Sequence, residues 1–217
     1  MSREQTLLEY YETLSKHLGP SHWWPGESPF EIAVGAILVQ NTNWTNVEKA
    51  INNLKANDGL TPQGLRKFSM EKLQELIRPS GFFRMKAVRL NNFLDFLDAN
   101  SARCITDLEE AETFELREKL LAVNGIGPET ADSILLYALN KPMFVVDAYT
   151  RRIFNRHMLI HEDIDYHELQ DYFMDVLDPD VEMYNEYHAL IVRTAKEWCK
   201  KSNPDCENCP LGKFLEN

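Results

Sequence analysis

The sequence predicts an all-α protein, and three observations predict it. Apolar residues recur at helical spacing along almost the whole chain, as in Leu7, Tyr10, Tyr11, Leu14 and Leu18 and again in Val47, Ala50, Ile51 and Leu54. Strand signals are poor. Glycine and proline breakers cut the periodic stretches into segments of ordinary helix length, roughly ten in all.

Taken in order, a helix over 4–18 ends at Gly19-Pro20, and a loop follows with Trp23-Trp24-Pro25-Gly26. A helical stretch opening at Phe30 runs to Gln40-Asn41-Thr42, and the next carries the Val47 to Leu54 face up to Asp58-Gly59-Leu60-Thr61-Pro62. Pro79-Ser80-Gly81 is the following break. Phe114, Leu116, Leu120 and Leu121 form an apolar helical face ending at Val123, and after Asn124-Gly125-Ile126-Gly127 a new helix starts on Pro128. Lys141-Pro142 closes this hairpin of residues 114–139, and Asp178-Pro179 separates the last helices. Neither a repeat nor a linker long enough to part independent domains is present.

At 217 residues, 44% hydrophobic and 26% charged, the chain can bury a core. It has no run of 18 apolar residues, and its start, Met1-Ser2-Arg3-Glu4-Gln5, lacks a signal-peptide stretch, so a cytoplasmic protein with no membrane partner is expected. A monomer is expected too. Four cysteines do not make a disulfide scaffold at this length, and the crowding of Cys199, Cys206 and Cys209 near the C-terminus suggests a metal instead.

Net charge argues at first against nucleic acid, since 23 Lys and Arg face 34 Asp and Glu. Yet ten of the acids lie between Glu162 and Glu186, a stretch without Lys or Arg, and elsewhere the signs nearly balance. A local basic face, not the total, decides phosphate binding, so DNA stays open.

Two places carry chemistry. The glycines of Gly125-Ile126-Gly127 permit positive φ and close backbone approach, and Pro128 at the first helical position leaves amides that suit a phosphate; an ordinary helix hairpin without a ligand would read the same way. Met143-Phe144-Val145-Val146 is an apolar run ended by Asp147, at a helix N-cap position, with Arg151, Arg152 and Arg156 following. Asp147 could simply cap that helix. A carboxylate beside phosphate-binding cations also suits chemistry on a polyanion.

Residues 114 to 156 resemble the helix-hairpin-helix and Gly/Pro-Asp (HhH-GPD) region of the endonuclease III superfamily of DNA base-excision glycosylases. The similarity extends to Phe30-Glu31-Ile32 through Gln40-Asn41-Thr42 and to the Gly-Phe-x-x-x-Lys-Ala segment within Ile77 to Leu90, covering about 28 to 210. It implies a two-lobed helical fold with the active site between the lobes. The glycosylase core would span 28–198, with a middle lobe near 30–135, a second lobe formed by the remainder with the helix 4–18, and a cysteine-containing loop at 199–217. It also implies damaged double-stranded DNA as partner, with the amides of Gly125, Ile126 and Gly127 on phosphate; Arg151, from its place after Asp147, is expected to bind DNA as well. Gln40 would fill the gap left by an extruded nucleotide, and Asp147 would support cleavage of the N-glycosidic bond.

Bifunctional members carry a lysine two residues after the second hairpin glycine, whose amine forms a Schiff base; here Glu129 stands there. Glu129 has either a catalytic role or the role of a helix-start acid. The expectation is monofunctional hydrolysis, with no cofactor required for the chemistry. Trp23-Trp24-Pro25 and the aromatic Trp44 after Gln-Asn-Thr-x offer rings for a flipped base, or fill a core, and cation–π attraction would favour an alkylated purine. Together with Gly-Ile-Gly-x-Glu, they are similar to the 3-methyladenine DNA glycosylase III type.

The spacing of Cys199, Cys206 and Cys209 resembles the [4Fe-4S] loop of that superfamily, but Leu215 stands where a fourth cysteine is needed. Three thiolates would hold a cluster with another ligand, or a zinc, or nothing. Two further readings remain: a glycosylase for oxidised pyrimidines or mismatched bases, and a non-catalytic helix-hairpin-helix DNA-binding module. The second has no need of Asp147, the glutamine turn or the aromatic loop.

Overall fold

The computed structural model describes residues 2–100 and 102–215, and every regular element among them is helical. The α-helices are α1 (Arg3–Leu18), α2 (Pro29–Leu38), α3 (Trp44–Lys55), α4 (Pro62–Arg66), α5 (Met70–Leu76), α6 (Phe83–Ala99), α7 (Thr113–Leu121), α8 (Pro128–Ser133), α9 (Ala148–Arg156), α10 (Tyr166–Met174) and α11 (Val181–Glu197). A π-helical turn, Ile134–Ala138, continues α8. No helix among the described residues is long and apolar enough to cross a membrane. The chain divides into two compact units, Trp24–Lys141, and Met1–Trp23 with Pro142–Asn217.

In the unit Trp24–Lys141, α2 is apolar nearly all round, and a helix of that composition is stable only when other elements cover it. Eight of its ten residues are buried, and α3, α6, α8 and the π-helical turn pack on it. Ser28 caps its start by accepting from the Glu31 amide, with Pro29 at the first helical position. Around it, α3 buries Val47, Ala50, Ile51 and Leu54, the face its spacing predicts. From α6 come Leu90, Phe93, Leu94 and Leu97. Each such buried side chain contributes about 1.5–3 kcal/mol relative to exposure.

Lys86 is buried among these apolar groups because its ammonium closes a backbone end. Its Nζ donates to the Leu38 carbonyl at 2.8 Å, where α2 stops, and to the Ser80 carbonyl at 2.6 Å. Burial brings its pKa down to about 8. One side chain thereby ties the turn carrying Gln40 to the turn before α6.

In the unit Met1–Trp23 with Pro142–Asn217, α11 packs against α1 and α9. Its core is aromatic: the Phe144 ring stacks on Phe173 at 4.2 Å and meets Tyr184 edge-on at 5.1 Å. Tyr187 donates its hydroxyl to the Leu7 carbonyl at 2.8 Å, joining α11 to α1. Arg193 finishes α1 by donating to the carbonyls of Leu18 and Gly19. Met143, Phe144, Val145 and Val146 are all buried, so the strand-like run feeding Asp147 is held by the core on every side chain.

Candidate active-site elements

The hairpin is built from α7, the turn and α8. Gly125 has φ +94°, in the region that favours glycine, and a Cβ there would lie 2.4 Å from Cγ of Arg89. Ile126 is buried and anchors the turn, while Gly127 is exposed, with nothing within 4 Å of where a Cβ would project. Pro128 follows at the first helical position. First-turn amides have no acceptor within their own helix, so an open approach at Gly127 is what an anion needs. Beneath the turn, Arg117 on α7 and Asp132 on α8 form a buried two-point pair, Nε to Oδ1 at 2.7 Å and Nη2 to Oδ2 at 3.1 Å. Breaking such a pair from one side costs about 3–5 kcal/mol, so it fixes the hairpin geometry.

Gln40 is drawn to the hairpin. Its Nε2 donates to the Gly125 carbonyl at 3.1 Å and to Thr130 Oγ1 at 2.8 Å, and its Oε1 accepts from Arg89. The expected role in a DNA gap therefore requires the side chain to leave three partners. Glu129 is exposed in the first turn of α8.

Trp24 and Trp44 come together edge to face at 5.2 Å, and Trp24 lies at 4.9 Å from the ring of Tyr137, tilted by 32°. Both tryptophans are half-buried. They rest on Gly35 of α2, where a Cβ would already touch Trp44 at 3.4 Å and Trp24 at 3.5 Å. Tyr137 belongs to the π-helical turn, an irregularity often met at functional sites. Trp23 is half-buried in the unit that contains α1, and Pro25 is exposed.

Asp147 is the N-cap of α9. Its Oδ1 accepts from the amides of Tyr149 and Thr150, both at 2.8 Å, and from the Thr150 hydroxyl at 3.0 Å. Its Oδ2 stands 3.5 Å from Nε2 of His188, a buried residue of α11. Burial alone would raise the carboxyl; His188 and Thr150 outweigh it and hold it below the usual carboxylate range. Arg151 is exposed on α9, whereas Arg152 and Arg156 turn to the carbonyls of Cys199 and Lys200 respectively. The acidic block is partly compensated inside its own unit, by Arg3 on Asp175 at 3.2 Å and by Ser21 donating to Glu186.

The three C-terminal cysteines lie around a cavity of about 10 Å³, walled also by Arg156, Trp198 and Leu215. That is room for one water at most. Arg156 Nη1 donates to Cys199 Sγ at 2.8 Å. Burial raises the Cys209 thiol, with Cys199 and Cys206 adding to the rise. Among the described residues no three His, Cys, Asp or Glu side chains are arranged to hold a metal. As they stand, with a guanidinium on one thiol and an apolar residue in the fourth position, these residues do not fit a four-iron cluster.

Four partners escape sequence reasoning: His188 beside Asp147, Tyr137 beside Trp24, and Arg89 and Thr130 around Gln40. None is near its partner in the chain. A histidine on the helix leading to Cys199 and a tyrosine in a buried helix carry no local signal of their own.

Comparison with known proteins gives the family and the fold. The profile of the HhH-GPD superfamily of base excision DNA repair proteins matches residues 34–179. The chain is 46% identical over 211 residues to a protein of Methanocaldococcus jannaschii provisionally named DNA repair glycosylase MJ1434, covering 97% of this chain and 96% of that one. It is 30% identical to endonuclease III of Thermotoga maritima, covering 87% of this chain and 81% of the relative. Among solved structures, the H. pylori 3-methyladenine DNA glycosylase MagIII bound to 1,N6-ethenoadenine superposes with a TM-score of 0.75 at 30% identity, covering 91% of this chain and 98% of that one. A non-covalent endonuclease III–DNA complex has the same fold, with a TM-score of 0.83 at 21% identity over 100% of this chain and 96% of that one.

Proposed function

The chain belongs to the HhH-GPD superfamily of base excision repair DNA glycosylases, and on that premise we propose that it hydrolyses the N-glycosidic bond of an alkylated purine such as 3-methyladenine, extruded from damaged duplex DNA. The observation that carries the substrate class is the pair of half-buried tryptophans, Trp24 and Trp44, resting on a glycine, with the buried ring of Tyr137 behind Trp24. A cationic purine stacks on such rings and gains cation–π attraction that a neutral pyrimidine does not. The likeness at 30% identity to a 3-methyladenine glycosylase holding a modified adenine supports the same reading.

In this reading the C1′–N bond breaks with its electron pair leaving on the base, so a cationic alkylpurine departs neutral and needs no acid. Positive charge grows on the sugar, and the Asp147 carboxylate opposes it. Water adds to C1′ and loses its proton to solvent. The hairpin amides at Gly125, Ile126 and Gly127 and the exposed Arg151 hold phosphates.

Strand cleavage by an imine is not part of the proposal. Glu129 has no amine, and the two lysines buried among the described residues spend theirs on carbonyls, Lys86 on Leu38 and Ser80, Lys141 on Glu109 and Ala111. The C-terminal cysteines supply no step. The likeness to endonuclease III favours a second reading, a glycosylase for oxidised pyrimidines or mismatched bases. Base release from a panel of alkylated, oxidised and mismatched duplexes, with borohydride in parallel, tests both. Release of 3-methyladenine without a trapped adduct is expected; release of an oxidised pyrimidine with an adduct would replace the proposal by the second reading.

A further inference from the structure

Asp147 divides its two oxygens between two tasks. Oδ1 is filled by the start of α9, through two amides and the Thr150 hydroxyl, which fixes the plane of the carboxylate. Oδ2 is turned to His188, which α11 carries against α9. With three donors on one oxygen and an imidazole facing the other, the group is poorly set up to accept a proton from water and well set up to remain a fixed anion.

We propose that His188 is a positioning residue of the reaction, holding Oδ2 of Asp147 so that the carboxylate stays ionised and aimed while positive charge develops on the sugar. This rests on the reading of Asp147 as the catalytic carboxylate. Several other charged groups of the two helices have partners of their own. On α11, Glu186 accepts from Ser21, Arg193 donates to Leu18 and Gly19, and Lys196 lies over the Tyr149 ring. On α9, Arg152 and Arg156 reach Cys199, and Arg151 is exposed. His188 is the ionisable side chain that stands at Oδ2 of Asp147. The direction in which the Asp147 carboxyl is held, below its usual range, agrees.

The test uses two variants of the full chain. His188→Leu removes the imidazole that stands 3.5 Å from Oδ2; its acid limb of single-turnover base release is expected to move up by about one pH unit, a tenfold loss on the acid side with a smaller loss at alkaline pH. His188→Gln keeps an N–H donor at similar size and should restore part of the shift. Carbon-13 NMR titration of the Asp147 carboxyl, assigned by its loss in Asp147→Asn, reads the same effect without turnover, and His188→Ala stands in for the leucine variant if that one does not fold. A rise of the Asp147 titration in the leucine or alanine variant, smaller in the glutamine variant, supports the proposal. An unmoved titration in the variant that lacks the donor, or a rate that falls equally at all pH values, overturns it. Failure of the underlying reading looks different: Asp147→Asn would then release base as the parent does.

Discussion

Gln40 donates from Nε2 to the hydroxyl of Thr130 at 2.8 Å, so the turn after α2 and the first turn of α8 are joined by a side-chain hydrogen bond 90 residues apart in sequence. Thr130 is buried, which makes this bond sensitive to loss of either partner. Thr130→Val keeps the shape and takes one of its two acceptors from Gln40 Nε2, with an expected cost of about 1–3 kcal/mol in urea denaturation. In a double-mutant cycle with Gln40→Ala the two effects should be non-additive by at least about 0.5 kcal/mol. Strict additivity would mean that the contact does no energetic work.

Trp24 and Trp44 touch each other, so their variants should couple as well. Replacing either by Ala should lower affinity for the flipped base by about 1–3 kcal/mol, the range for aromatic–base stacking, and Trp24→Phe should keep part of it. Truncation of a tryptophan serving only the core would cost about 3–5 kcal/mol of stability instead. Melting curves beside base-release rates separate the two. Early unfolding with intact activity per folded molecule would remove the aromatic pocket and the alkylpurine assignment with it.

His157 accepts or donates at Nδ1 with the Tyr10 hydroxyl at 2.8 Å, and burial, then the nearby Arg156, pull its pKa from 6.5 down to about 4. The folded state thus takes up this proton later than the unfolded state as pH falls. Its contribution to stability is complete above pH 6.5 and is lost progressively between 6.5 and about 4. His157→Gln should flatten the dependence of Tm on pH across that window, and an unchanged slope would contradict the assignment.

Arg151 is exposed on α9, whereas the acids of α10 sit in a block partly answered by Arg3. Arg151→Ala should weaken duplex binding and reduce the salt slope by about one. Asp171→Asn should change affinity only modestly. The reverse ranking would put the DNA on the other face of this unit.

Much of this was legible in the chain. The helical class, the hairpin with its glycines, Pro128 opening α8 and Asp147 capping α9 each follow from local spacing and cap chemistry, which depend on neighbours in sequence. The pairings between helices do not. Asp147 with His188, Trp24 with Tyr137 and Gln40 with Thr130 are set by how helices pack, and nothing in the composition of either partner announces the other. The cysteine spacing was visible, yet only the structure shows Arg156 on Cys199 and Leu215 at the wall of a water-sized cavity.

The central claim is that the Asp147 carboxylate drives hydrolysis of an alkylpurine bond, and the most direct measurement is single-turnover release of 3-methyladenine by the parent chain and by Asp147→Asn on the same methylated duplex, with binding measured alongside. The account predicts that the variant binds the duplex as the parent does but releases base about 100- to 1000-fold more slowly, as expected when one electrostatic partner of the transition state is removed. Release at the parent rate by Asp147→Asn would contradict it.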